Sequence, residues 1–203
     1  MSSHYSAIYH SIYSHVIAIL QNELSPRLTY HSIHHTFDVL EQSQQIATRE
    51  GITDDQKIFL LKVAALYHDC GFIFMYAGHE EKGCELAKQE LPGFGLTAPQ
   101  IKKICGMIMA TKIPQSPKNK MEEIICDADL DYLGRDDFDS ISNSLYNEFL
   151  DFGFVKNHED WMQKQISFFE SHNYFTKSSQ QLRHPKKMEQ LVKLKANHLP
   201  GNP

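Results

Sequence analysis

The chain has 203 residues, enough to bury a sizeable core without disulfide or metal staples. Hydrophobic residues make up 41% and charged residues 22%, a balance that excludes a disordered or fibrous chain. The net charge of −5 argues against a general nucleic-acid binder, whose surface is basic, but leaves room for a locally positive phosphate pocket.

The first twenty residues lack a basic region followed by an apolar run, so no signal peptide is expected. No apolar run reaches the roughly 18–20 residues that span a bilayer, and no membrane partner is expected. Cys70, Cys84, Cys105 and Cys126 form no CxxC pair. They read as reduced packing thiols of a cytoplasmic protein.

In chain order, residues 5–24 place Ile8, Ile12, Val16, Ile19 and Leu20 at helical spacing. SPRL at 25–28 stops that helix. A second helix is expected over about 33–50, closed by Gly51. Thr53 or Asp54 caps a third, which carries IFLLKVAALYHDC to Gly71. Further helices are expected over about 79–90, from Thr97 to 111, up to Gly134, and over about 135–152, 158–172 and 176–196. The tail NHLPGNP reads as loose. No stretch alternates like a strand, so the fold class is all-α, one domain over 1–203. Tyr5, Tyr9 and Tyr13 form a stripe that reads as core packing, with a homodimer face as the alternative.

Three segments carry chemistry. In YHSIHHT, 30–36, His31 and His35 are four apart and share a face if helical, and Asp38 joins it. His34 points elsewhere and reads as surface or packing. Taken alone, the pair also suits a helix start with solvated or core histidines. In ALYHDCG, 65–71, His68 and Asp69 end a strongly apolar helix. An ionisable pair there is costly to bury without a partner such as a divalent cation, or else the histidine meets the helix dipole. In ICDADLDYLG, 125–134, Asp129 shares the apolar face with Ile125 and Cys126, while Asp127 and Asp131 repel across one turn. A cation explains that carboxylate; surface aspartates near a helix end are the alternative.

His35, then His68-Asp69, then Asp129 resembles the H…HD…D signature of the HD superfamily of metal-dependent phosphohydrolases. YHSIHHT also resembles the YHNxxH segment of cyclic-nucleotide phosphodiesterases, and ADL at 128–130 their ADL segment. The resemblance covers about residues 28–135, leaving a C-terminal helical extension over about 136–196. HEEKGCELAKQELP and FFESHNYFT look like segments of a bacterial subgroup of predicted HD-domain phosphohydrolases.

The resemblance implies a helical bundle and one divalent metal ion held by His35, His68, Asp69 and Asp129. Such ligands suit Mn, Fe, Co, Ni or Zn and, less well, Mg. It implies hydrolysis of a phosphate ester of a nucleotide or similar small phosphorylated metabolite by activated water. His31 matches the general acid of the phosphodiesterases; the alternative is a histidine bonded to a ligand carboxylate. Asp69 is a second catalytic candidate, as ligand and base.

Some HD nucleotidases carry a glutamate shortly after the HD pair, where HDCGFIF has Phe72. That departure puts a nucleotidase-type base in doubt and argues against hydrolysis of guanosine tetraphosphate. Weaker phosphate-binding candidates are His79, which could instead take a second metal, and Lys112, Arg135 and His172. A dinuclear phosphodiesterase or di-iron oxygenase needs further histidines between Asp69 and Asp129, where only His79 stands. A non-catalytic nucleotide sensor is the remaining alternative.

Overall fold

The computed structural model describes residues 3–198; the end of the tail, 199–203, lies outside the described residues. The chain forms α1 (Ser3–Glu23), α2 (Ile33–Arg49), α3 (Asp55–Tyr67), α4 (His79–Glu90), α5 (Ala98–Thr111), α6 (Lys120–Asp129), α7 (Phe138–Asp151), α8 (His158–Ser171), α9 (Lys177–Leu182) and α10 (His184–His198). Short 3₁₀ turns cover Cys70–Ile73, Leu91–Phe94 and Asp131–Gly134. Among the described residues there is no strand, and no helix is long and apolar enough to cross a membrane. The all-α reading stands.

The core is organised around α3. Every residue of Phe59–Tyr67 except Lys62 is buried, and a helix apolar on nearly all sides belongs in the interior. It packs against α1, α2 and α5, while α2, α4 and α5 complete the bundle with α6. Each fully buried Leu, Ile or Phe contributes about 1.5–3 kcal/mol from apolar area alone. The tyrosine stripe packs onto this core: Tyr5 stacks on Phe59, Tyr13 on Phe37, and Tyr9 meets Lys62. Asp54 starts α3 by accepting the Lys57 amide at 2.8 Å.

A second, smaller core forms where α7, α8 and α10 meet the end of α6. It contains Tyr30, Leu130, Leu133, Phe138, Met162, Phe169 and Leu191. Two aspartates fasten this part to the first. Asp127 is fully buried and accepts from the amides of Phe175 and Thr176 at 2.9 and 2.8 Å and from the Thr176 hydroxyl at 2.7 Å. Asp131, also fully buried, receives Arg183 Nε at 2.8 Å. Neither is a surface aspartate of a helix end.

Several boundaries differ from the sequence expectation. α3 ends at Tyr67, and α6 ends at Asp129 before a 3₁₀ turn. The expected last helix is broken at Arg183 between α9 and α10. His31 is not helical: α2 begins at Ile33, with Ser32 at the N-cap, so His31 and His35 share no helix face. They meet because the preceding turn folds back, with ring centroids 5.9 Å apart.

Candidate metal centre

His68 occupies the C-cap of α3, where the α-helix gives way to the 3₁₀ turn. Its Nδ1 lies 2.8 Å from the Ala65 carbonyl, so the ring donates there and leaves Nε2 as a lone-pair donor. Asp69 follows at φ −106°, which lets adjacent side chains reach one point. α2 delivers His35 from its first turns, and the last residue of α6 delivers Asp129.

The ligand atoms of His35, His68 and Asp129 lie within 4.8 Å of one another. His35 Nε2 is 3.0 Å from Asp129 Oδ1 and 3.4 Å from His68 Nε2. Asp69 Oδ2 lies 3.2 Å from His68 Nε2 and 3.5 Å from His35 Nε2. Ligand atoms about 2.1 Å from one ion sit about 3.0–3.4 Å from each other. The separations among His35, His68 and Asp129 could hold a single divalent cation, and Asp69 lies beside that group against both histidines.

The polar inventory agrees. Asp69 Oδ2 is buried and accepts no hydrogen bond. Burial opposes charge on His68, yet Asp69 and then Asp129 raise its imidazole to about 9. Burial would likewise raise Asp69, but His68, His31 and His35 hold its carboxyl well below the usual range. A buried pocket with this negative field and converging lone pairs calls for positive charge.

His31 stands beside this cluster in a different setting. Its Nδ1 is 2.5 Å from Oε1 of Glu148, a fully buried residue of α7. Glu148 Oε2 accepts the amides of Tyr30 and His31 at 2.8 and 3.0 Å, and Tyr76 donates its hydroxyl to Oε1 at 2.7 Å. Burial disfavours the charged ring, but the Glu148 hydrogen bond with the nearby carboxylates outweighs it and raises the His31 pKa. Phe72, in the position where an acid was lacking, is a spacer. It stacks on His31 at 4.3 Å and on His79 at 3.8 Å between centroids.

His31, Asp69, His79 and Asp129 all line one cavity of about 360 Å³. Glu80 and Thr111 join them, and the opposite wall is apolar: Leu130, Leu133, Leu145, Phe149, Trp161, Phe168 and Phe169, with Lys164 exposed at the rim. Glu148, Tyr76 and this wall were not found by the sequence reading. α7 carries no motif, and the FFESHNYFT resemblance at the end of α8 did not point to the cavity; only a buried glutamate on an otherwise amphipathic helix could have signalled Glu148.

The remaining candidates separate. His79 reaches the cavity. Lys112 does not: it is exposed and paired with Glu81. Arg135 is held by Asp38 at 2.7 Å and by Asp137 at 2.8 Å, and it lines a neighbouring cleft beside His34 and His35. His172 is buried against Phe168 and Tyr174, outside the cavity lining. Neither of its ring nitrogens has a partner, and burial pushes its pKa down to about 3. It is a neutral packing residue, poorly suited to an anion.

Fold and site together define a class: an all-α protein with a buried histidine–aspartate cluster built to hold a cation at the end of its central helix. The HD-domain family model matches residues 32–132, a span that contains the whole cluster. The chain belongs to the HD superfamily, whose members are generally metal-dependent hydrolases. It is similar in fold to a crystal structure described as a predicted HD superfamily hydrolase from an uncultured Thermotogales bacterium. That match has a TM-score of 0.60 and 21% identity over 93% of this chain and 91% of the other. No curated protein matches the sequence.

Proposed function

We propose that this protein is a metal-dependent phosphohydrolase acting on a nucleotide or similar small phosphorylated metabolite. One observation carries the reading: Asp129 of a cluster that could hold a cation and the carboxylate-held imidazole of His31 line the same cavity. His35, His68, Asp69 and Asp129 would hold a divalent ion, which would supply charge neutralisation at the phosphoryl oxygens and activation of a water. The chain's own groups do the rest. Glu148 fixes the Nδ1–H tautomer of His31, which leaves Nε2 to carry the mobile proton. As the water oxygen bonds to phosphorus and the ester P–O bond breaks, His31 protonates the leaving oxygen. Asp69 takes the water's proton. Phe72 stacks on both His31 and His79 and fixes their ring orientations.

The wall of Leu145, Phe149, Trp161 and Phe168 supports a nucleotide over a sugar phosphate. A planar base gains from stacking and burial there, whereas sugar hydroxyls would lose hydrogen bonds to water. The test is a phosphate-release screen of nucleoside phosphates, cyclic nucleotides and sugar phosphates with Mn, Co, Ni, Mg or EDTA. We expect metal-dependent release from nucleotides, absent in Asp69→Ala. Silence across the panel with metal bound would overturn the reading.

A further inference from the structure

The proposed hydrolysis uses none of the four thiols, and two of them lie against each other. Cys84 Sγ is 3.5 Å from the Cys105 carbonyl oxygen, and Cys105 Sγ is 3.7 Å from the Cys84 carbonyl oxygen. These reciprocal contacts lay the two side chains side by side where α4 packs on α5. The thiols are also within hydrogen-bond reach of each other. The other two differ. Cys70 donates to the Leu66 carbonyl at 3.2 Å and Cys126 to the Ala110 carbonyl at 3.1 Å. They are 1% and 0% exposed, against 4% for Cys84 and 8% for Cys105, so a small oxidant meets Cys105 first.

The two members of the pair are unequal. As a thiolate, Cys105 accepts the Cys84 S–H, and Lys88, exposed one turn after Cys84, adds a positive field. Against burial, these pull the Cys105 thiol below its usual range. The same hydrogen bond, then burial, holds Cys84 well above it. The thiolate is the nucleophile, so Cys105 is the attacking sulfur and Cys84 stands where a resolving thiol is needed.

We propose that Cys84 and Cys105 are an oxidisable dithiol, which hydrogen peroxide closes to a disulfide. The Cys105 thiolate attacks the peroxide: an S–O bond forms, the O–O bond breaks, and the departing hydroxide takes up a proton as water. The Cys84 sulfur then attacks the sulfenic sulfur. The S–S bond forms, the S–O bond breaks, and the Cys84 proton leaves with the hydroxide as a second water. The two thiols together give up the electron pair that reduces the peroxide. The cross-link ties α4, whose first turn brings His79 and Glu80 to the cavity, to α5, which ends there at Thr111. It is a reversible clamp between two helices that line the cavity, and it does not depend on which substrate the cavity takes.

The test treats the reduced full-length protein with hydrogen peroxide in EDTA, so that no metal drives the oxidation, and reads it by thiol count and peptide mass mapping. The wild type should lose two of its four thiols, yield one Cys84–Cys105 cross-link, and regain both thiols with dithiothreitol. Cys84→Ala should instead stop at a sulfenic acid on Cys105, labelled by dimedone. Cys105→Ala should slow thiol loss by about tenfold or more. The wild-type map decides the pairing even where a variant does not fold. A cross-link through Cys70 or Cys126 would overturn the proposal, as would four intact thiols under conditions that fully oxidise free glutathione. Equal dimedone labelling of Cys105 in wild type and Cys84→Ala would overturn Cys84 as its partner.

Discussion

The two cores of this molecule contribute different things. The bundle around α3 supplies the cluster that could hold a cation, and it does so through short-range rules. A helix apolar on nearly all sides ends at His68-Asp69, and the ligands from α2 and α6 face it across packed helices. The smaller core of α7, α8 and α10 supplies no ligand to that cluster. It provides Glu148 beneath His31 and the apolar wall of the cavity. The difference teaches that a cluster able to hold an ion can be local to one set of helices while the carboxylate beneath His31 and the apolar cavity wall come from another. The fully buried Asp127 and Asp131 join the two, so the aspartates of one short segment divide between binding and fastening.

The sharpest break in that comparison is removal of a ligand. His68→Ala or Asp129→Ala should empty the centre by metal analysis. Turnover should fall at least about a thousandfold, roughly 4 kcal/mol of transition-state stabilisation. His31→Ala should cost on the order of a hundredfold to ten-thousandfold in kcat with metal content unchanged. A variant that loses metal along with rate would make His31 a supporting ligand rather than an acid. Glu148→Gln should also keep its metal, and its rate should fall less than that of His31→Ala.

Fastening is read in stability. Arg183→Ala leaves the buried Asp131 with only Arg135 at 3.6 Å, and chemical denaturation should show a loss of about 3 kcal/mol. Asp127→Ala strips the acceptor from two amides and a hydroxyl and should cost about 1–3 kcal/mol. Lys112→Ala should be the smallest change, within about twofold in KM. Its ammonium is exposed, and an exposed ion pair contributes little.

That His35, His68 and Asp129 come together was legible because imidazole and carboxylate at the end of an apolar helix have few inexpensive explanations. The helical class was legible because Phe59–Tyr67 and the amphipathic α1 leave no strand-like alternation. The relation of His31 to His35 was misread. Spacing of four implies a shared face only within a helix, and Ser32 starts α2 after His31. Glu148 was not legible because it lies 117 residues from His31 and its burial depends on tertiary packing. Lys112 and His172 show the converse. Residue type suggested phosphate binding, but a surface carboxylate neutralises one and burial keeps the other uncharged.

The measurement that tests the joint origin of the site most directly is the pH profile of kcat/KM for wild type and Glu148→Gln with saturating Mn²⁺. Glu148 and the nearby carboxylates raise the His31 pKa against the effect of burial. An acid must be protonated, so activity holds below that pKa and falls as pH rises through it. Removing the Glu148 charge lowers the His31 pKa, and the alkaline fall should move to lower pH with metal stoichiometry unchanged. An alkaline limb in the same place in both proteins would contradict the account, since Glu148 would then not set the acid at all.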